Sequence, residues 1–278
     1  MIFPEEILKH KKFVSAGLLF DFTENHDVTF VDFLEDKPGV FGSLDQRYHH
    51  VKKTHPDVNY VVLCGQSDEI TYRGMWDGLP GLLQWTDPLM LGKFLYELMI
   101  VRNKCKYSFA LSDCAGAFAA TFATKYMPFN SVLFTTPVIG MIPNDNSFLQ
   151  SFEERHEDKK TFIKKHGSIP GIENRCVIYD KGQRYKDYFD AFPYLLDYIK
   201  TGSKLEIHWA TSVTGVDKFE KDRISKITGL NITIKEHVIP ENIHAHLLNG
   251  YLFKTGELKT MIRKEIEYGK KYIETLEK

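Results

Sequence analysis

The spacing with the most chemistry in this chain is Ser112-Asp113-Cys114-Ala115-Gly116, set between the apolar run Tyr107 to Leu111 and the small-residue stretch Ala117 to Ala123. A strand that turns sharply into a helix needs small residues two places before and two places after the turning residue. Ser112 and Gly116 stand at those places around Cys114. Such an elbow holds its side chain in a strained turn above the sheet, where the first N–H groups of the following helix face the same spot. Cys114 is therefore a candidate nucleophile, since a thiol that titrates near about 8.5 becomes a thiolate once a cation or helix N-terminus stabilises it. Ser112 also has small residues at both offsets, Ala110 and Cys114, and stands as the alternate. Asp113, beside the thiol, raises its pKa where it points toward the sulfur, and otherwise points away or meets a substrate cation.

The elements around this turn read as alternating strand and helix. Lys12 to Phe20, Asp27 to Phe33 and Val58 to Cys64 are rich in Val, Leu or Phe, as strands covered on both faces are. Pro88 to Lys104 has helical spacing, with Asp87 as N-cap, and feeds the elbow strand. Ala115 to Tyr126 follows as a helix and Ser131 to Val138 as a strand. The stretch 142–203 turns charge-rich and helical, with Asp187 to Lys200 among its pieces, and reads as an insertion covering the sheet. Lys204 to Ala210 and Asn231 to Val238 return to strand character, Arg223 to Thr228 reads as a short helix, and Lys259 to Leu276 as a closing amphipathic helix. The alternation predicts one domain over 1–278, with a mostly parallel central sheet and helices on both faces.

Composition bounds the partners. A chain of 278 residues with 43% hydrophobic and 26% charged residues buries a substantial core. Net charge of -1 gives no reason to expect nucleic acid or an anionic membrane, and no apolar run approaches the roughly 18 residues of a membrane span. Met1 to Lys12 lacks an apolar stretch with a cleavage site, so no signal peptide is expected. Cys64, Cys105, Cys114 and Cys176 form no CxxC pair and no disulfide framework, which points to a reducing cytoplasm; Cys64 and Cys105 read as packing or surface thiols. No cofactor is called for, and a homo-oligomer or a protein partner is left open.

The order of polar residues resembles the α/β-hydrolase superfamily, in which the elbow nucleophile is followed by an acid after a late strand and a His after the last one. The resemblance implies Cys114 as nucleophile, Asp217 as acid and His246 as base, with Glu220 and Asp222 as rivals for the acid and His237 and His244 for the base. Taken alone, Asp217 is a loop or N-cap aspartate and His246 a histidine bridging loop and helix. Oxyanion donors are expected at the backbone of Ala115 and in the loop after the third strand, near Gln66. The histidine-glycine motif of many lipases is absent. Members with Cys at the elbow include dienelactone hydrolases and polyhydroxyalkanoate synthases, so a small-molecule acyl substrate (ester, lactone or thioester) is implied, with hydrolysis or acyl transfer through a Cys-His-Asp triad. Degenerate members found beside polysaccharide-synthesis and secretion genes imply the alternative, a catalytically silent binding or accessory protein.

Aromatics gather at Tyr72, Trp76 and Trp85, and again at Tyr185, Tyr188, Phe189, Phe192 and Tyr194; each group is either core or pocket wall. Arg73, in the Gly-flanked loop beside Trp76, is a surface residue or a clamp for a carboxylate or phosphate. A metal-binding reading draws on His237, His244 and His246: His244 and His246 could chelate from a strand edge, but spacing places no third ligand beside that pair.

Overall fold

The computed structural model describes residues 4–14, 18–34, 41–64, 90–114, 116–139, 191–229 and 231–278. Of 4–5, 41–46, Cys64, Met90, 215–217, Phe219 and His246 it describes the backbone alone.

Among the described residues, eight strands form one sheet: β1 (Lys12–Val14), β2 (Leu18–Asp21), β3 (Val28–Leu34), β4 (Asn59–Cys64), β5 (Tyr107–Asp113), β6 (Ser131–Thr135), β7 (Lys204–Ala210) and β8 (Ile232–His237), in the order β1-β2-β4-β3-β5-β6-β7-β8. From β4 to β8 every pairing is parallel, while β2 is antiparallel to both β1 and β4. The central strands β3, β5 and β6 are buried along almost their whole length, which is why they read as continuous apolar runs. The edge strand β8 alternates half-buried and exposed residues over most of its length.

The helices among the described residues, in chain order, are α1 (Pro4–Ile7), α2 (Phe41–Thr54), α3 (Met90–Tyr96, continued by a π-helical turn Glu97–Arg102), α4 (Gly116–Ala123), α5 (Phe192–Lys200), α6 (Gly215–Ile224), α7 (Leu248–Thr255) and α8 (Glu257–Leu276). Helix α8 buries Leu258, Ile262, Glu265, Ile266, Gly269 and Ile273, a stripe at helical spacing, and packs across β5 and β3. It starts abruptly because Gly256, at φ 88°, adopts the left-handed conformation that ends α7. Helix α4 is buried at every residue, and a β-carbon on Gly92 of α3 would meet the Ala123 carbonyl, so α3 and α4 touch backbone to backbone.

Several sequence expectations change. The run Lys12 to Phe20 is two strands, so Val58 to Cys64 contains the fourth strand and not the third. The helix expected at Arg223 to Thr228 lies earlier, at Gly215–Ile224, because the turn after β7 is short. Helix α2 is unanticipated: its sequence is dominated by polar residues, and its apolar stripe is narrow, Phe41, Leu44, Tyr48 and Val51 at helical spacing. Of the 142–203 insertion, residues 191–203 are described, with α5 packed through Phe192 and Tyr194 against buried residues; 142–190 lie outside the described residues.

Candidate active site at the β5–α4 turn

Cys114 is where the chain turns. It is buried, and its φ of 39° lies in the left-handed region that residues with a β-carbon avoid. That conformation costs about 1–3 kcal/mol and persists because neighbours hold it. The Cys114 N–H donates to the Thr135 carbonyl at 3.2 Å, and its own carbonyl accepts from Ala117 N–H at 3.1 Å and Val138 N–H at 3.0 Å. Three such bonds, at about 1 kcal/mol each, are enough to offset the strain. Thr136, on the facing turn after β6, is also left-handed at φ 45°. The small residues have the expected purpose: a β-carbon on Gly116 would stand 2.5 Å from the Phe33 carbonyl oxygen, so α4 can start only against the bare backbone at the end of β3. Ser112, by contrast, lies inside β5 with its hydroxyl fully buried and without a hydrogen-bond partner among the described residues.

Beneath the turn lies a polar cluster that sequence reasoning missed. The strand register sets Asp32 opposite Leu111 and Asp113 opposite Thr135, so Asp32, Asp113 and Thr135 share one face of the sheet. Arg47 of α2 reaches into this face, almost wholly buried. Its Nε lies 3.3 Å from Asp32 Oδ2, its Nη2 4.0 Å from Asp113 Oδ2, and its Nη1 donates to Asn249 Oδ1 at 2.8 Å. Asn249 Nδ2 in turn donates to Thr135 Oγ1 at 2.9 Å. Burial pushes the Asp32 carboxyl up to about 7; the Arg47 charge opposes this in part and the Asp113 carboxylate adds to it. Burial wins because Arg47 divides its charge among several partners and Asp32 Oδ1 meets none among the described residues.

The same contacts bring in the segment before α7. Thr136 Oγ1 donates to the Ala245 carbonyl at 3.3 Å, and Asn249 bonds Thr135, so residues 245–249 lie against the end of β6, next to the turn that bonds Cys114. His246 belongs to this segment, in a 3-10 turn Ala245–Leu247; its side chain is outside the description. His244 is exposed. His237 points its Nε2 at His208 Nδ1 across 2.7 Å and lies 3.5 Å from Glu257 through Nδ1. Asp217 is not in a loop but in the first turn of α6, with its backbone alone described. Of its rivals, Asp222 is exposed and Glu220 is buried, accepting two bonds from Arg223.

Gln66, Arg73 and Trp76 lie outside the described residues, as do Ala115, Tyr72, Trp85, Tyr185, Tyr188 and Phe189. The strand preceding Gln66 is β4, separated from β5 by β3; the strand that flanks the elbow, β3, is followed by residues 35–40, which also lie outside the described residues. Phe192 and Tyr194 are packing residues: the Arg223 guanidinium lies over the Phe192 ring, and Tyr194 meets Phe122. Cys105 is a buried packing thiol that donates to the Tyr107 carbonyl at 3.0 Å.

No family model matches the chain, and no curated protein matches it in sequence. Solved structures do match in shape. Esterase B from Lactobacillus rhamnosis aligns with a TM-score of 0.54 at 12% identity, over 96% of this chain and 87% of its own. A lipase-esterase related protein from Clostridium acetobutylicum aligns with a TM-score of 0.51 at 12% identity, over 87% and 97%. MenH from S. aureus aligns with a TM-score of 0.51 at 11% identity, over 92% and 100%. At such identities the likeness speaks for the fold alone. With its mostly parallel eight-stranded sheet and strained β5–α4 turn, the chain has the α/β-hydrolase fold.

Proposed function

We propose that this protein hydrolyses or transfers an acyl group held as an ester, lactone or thioester, with Cys114 as nucleophile, His246 as base and Asp217 as the acid that orients it. The observation that carries this reading is the left-handed backbone of Cys114 at the strand-to-helix turn, strain of the kind that gathers at functional sites. The esterases and lipase-related proteins of similar shape agree with it.

In this reading the Cys114 thiolate attacks the acyl carbonyl carbon, the carbon–oxygen or carbon–sulfur bond to the leaving group breaks, and His246 supplies that group's proton. A water or acceptor hydroxyl then attacks the thioester, gives its proton back to His246 and releases Cys114. The backbone N–H of Ala115 and a donor from the loop 35–40 stabilise the oxyanion. Arg73 and Trp76 belong to the proposed pocket wall, and the helical insertion 142–203 to its cover.

The test is intact-mass analysis after brief exposure to a short-chain activated ester and, separately, to a limiting alkylating reagent, comparing wild type with Cys114→Ala. Rapid modification at one site that disappears in the variant supports the proposal. Equal, slow behaviour of both proteins removes the nucleophile and leaves the other reading, a hydrolase-fold binding or accessory protein, to be pursued by ligand screening.

A further inference from the structure

We infer that Arg47 is a positioning residue for this site, holding a positive charge between Asp32 and Asp113 beneath Cys114 and tying the segment that carries His246 to the end of β6. The inference rests on the proposed role of Cys114.

Three observations lead to it. First, Arg47 is 5% exposed and stands one turn before Val51, which is fully buried, so α2 puts a guanidinium on the same face that it packs against the core. Burying a guanidinium is expensive unless carboxylates and acceptors surround it, and here Asp32, Asp113 and Asn249 do so. Second, Asp113 is the residue before Cys114, where a bare carboxylate opposes thiolate formation; Arg47 Nη2 at 4.0 Å offsets that charge. Third, one side chain touches both halves of the proposed machinery. Its Nη2 faces the elbow residue Asp113, and its Nη1 holds Asn249, three positions after His246 and bonded onward to Thr135.

Arg47 thus couples the charge beside the nucleophile to the placement of the base. Around the Arg47 guanidinium the described charged groups are Asp32 on β3 and Asp113 on β5, both acids. Within this cluster of Asp32, Asp113 and Arg47, Arg47 supplies the permanent positive charge.

The experiment is the rate of Cys114 alkylation by iodoacetamide, a neutral reagent, against pH. Removing Arg47 alone leaves Asp32 buried beside no cation, so the comparison is made in an Asp32→Asn background: D32N, D32N/R47M and D32N/R47M/D113N, each checked for native circular dichroism. The expected result is that R47M moves the midpoint of the pH–rate profile upward and slows reaction at pH 7 about tenfold, and that adding D113N restores most of the loss. A merely structural Arg47 changes the unfolding midpoint without moving the pH–rate profile, and that result overturns the inference. So does a shift that D113N fails to reverse. If D32N/R47M does not fold, R47K in the wild-type background decides: a profile unchanged in midpoint but with reduced ester turnover agrees with a charge held in the wrong geometry, and unchanged turnover overturns the inference. A wild-type thiol no more reactive than an ordinary one removes the reading of Cys114, and this inference with it, whereas an activated thiol indifferent to Arg47 removes this inference only.

Discussion

Gly116 and Phe33 are in backbone contact: the space a side chain would need at Gly116 is taken by the Phe33 carbonyl, 2.5 Å from where a β-carbon would sit. The helix after the elbow therefore presses on the end of the neighbouring strand, and the neighbour that must give way to any side chain is backbone.

From this contact, Gly116→Ala should destabilise the protein by about 1–3 kcal/mol or more, since a main-chain carbonyl cannot rotate aside. Gly250→Ala in α7, where a β-carbon meets nothing within 4 Å among the described residues, should be neutral or stabilising by up to about 1 kcal/mol. Urea unfolding of the two variants checks the pair; equal effects would mean that helix propensity, and not contact with β3, sets the cost.

Glu265 is a buried carboxylate on α8 that accepts from Tyr107 Oη at 2.6 Å and from Lys204 Nζ at 2.6 Å, pinning the last helix to β5 and β7. Burial and this carboxylate hold the Tyr107 hydroxyl well above its usual pKa, so it remains a donor. Tyr107→Phe should cost about 1.5–3 kcal/mol, because the lost bond is charge-assisted and buried. Lys204→Met should cost less than about 1 kcal/mol, since the Lys204 side chain is 40% exposed. The reverse ranking in chemical denaturation would place the anchor at the ion pair instead.

Asp32 makes stability depend on pH. In the folded protein its carboxyl takes up a proton near 7, against 3.8 for an ordinary aspartate, so between those values the native state holds more protons than the unfolded chain. This contribution is fully present below about 4, falls as pH rises through 7 and levels off above it. Wild type measured against Asp32→Asn by thermal unfolding at pH 5 and pH 8 should lose ground at the higher pH. A gain there would mean that the Arg47 charge outweighs burial.

Cys105 should be silent to thiol reagents in the folded state. Burial pushes its thiol up to about 11 from 9.0, a hundredfold smaller thiolate fraction at neutral pH, and its hydrogen is spent on the Tyr107 carbonyl. Peptide mapping after brief iodoacetamide treatment should find Cys105 unlabelled until denaturant is added; labelling in the native protein contradicts this placement.

The elbow was legible because its requirements are local. Small residues at Ser112 and Gly116 are demanded by sterics within one turn, and the structure shows the contact that demands the second of them. Strand β7 and helix α8 were legible for the same reason, as a compact apolar run and a stripe at helical spacing. Alternation of strand and helix, with apolar runs long enough to be buried on both faces, was sufficient to imply a parallel sheet in an α/β fold.

Other features arise between distant parts of the chain. That Lys12 to Phe20 divides into two strands, and that β3 instead of β4 flanks β5, is set by crossover connections that no local pattern encodes; Gln66 thus follows β4 and not the strand beside the elbow. Arg47 and Asn249 are 202 positions apart in sequence and 2.8 Å apart in space. A polar residue is buried only when folding brings it partners, and Asp32, Asp113, Asn249 and Thr135 converge on one sheet face only after β3, β5 and β6 pair in register. Local sterics made the turning residue readable from the sequence, whereas the charge beside it, a sum over Asp32, Asp113 and Arg47 from three separate elements, was decided by tertiary structure alone.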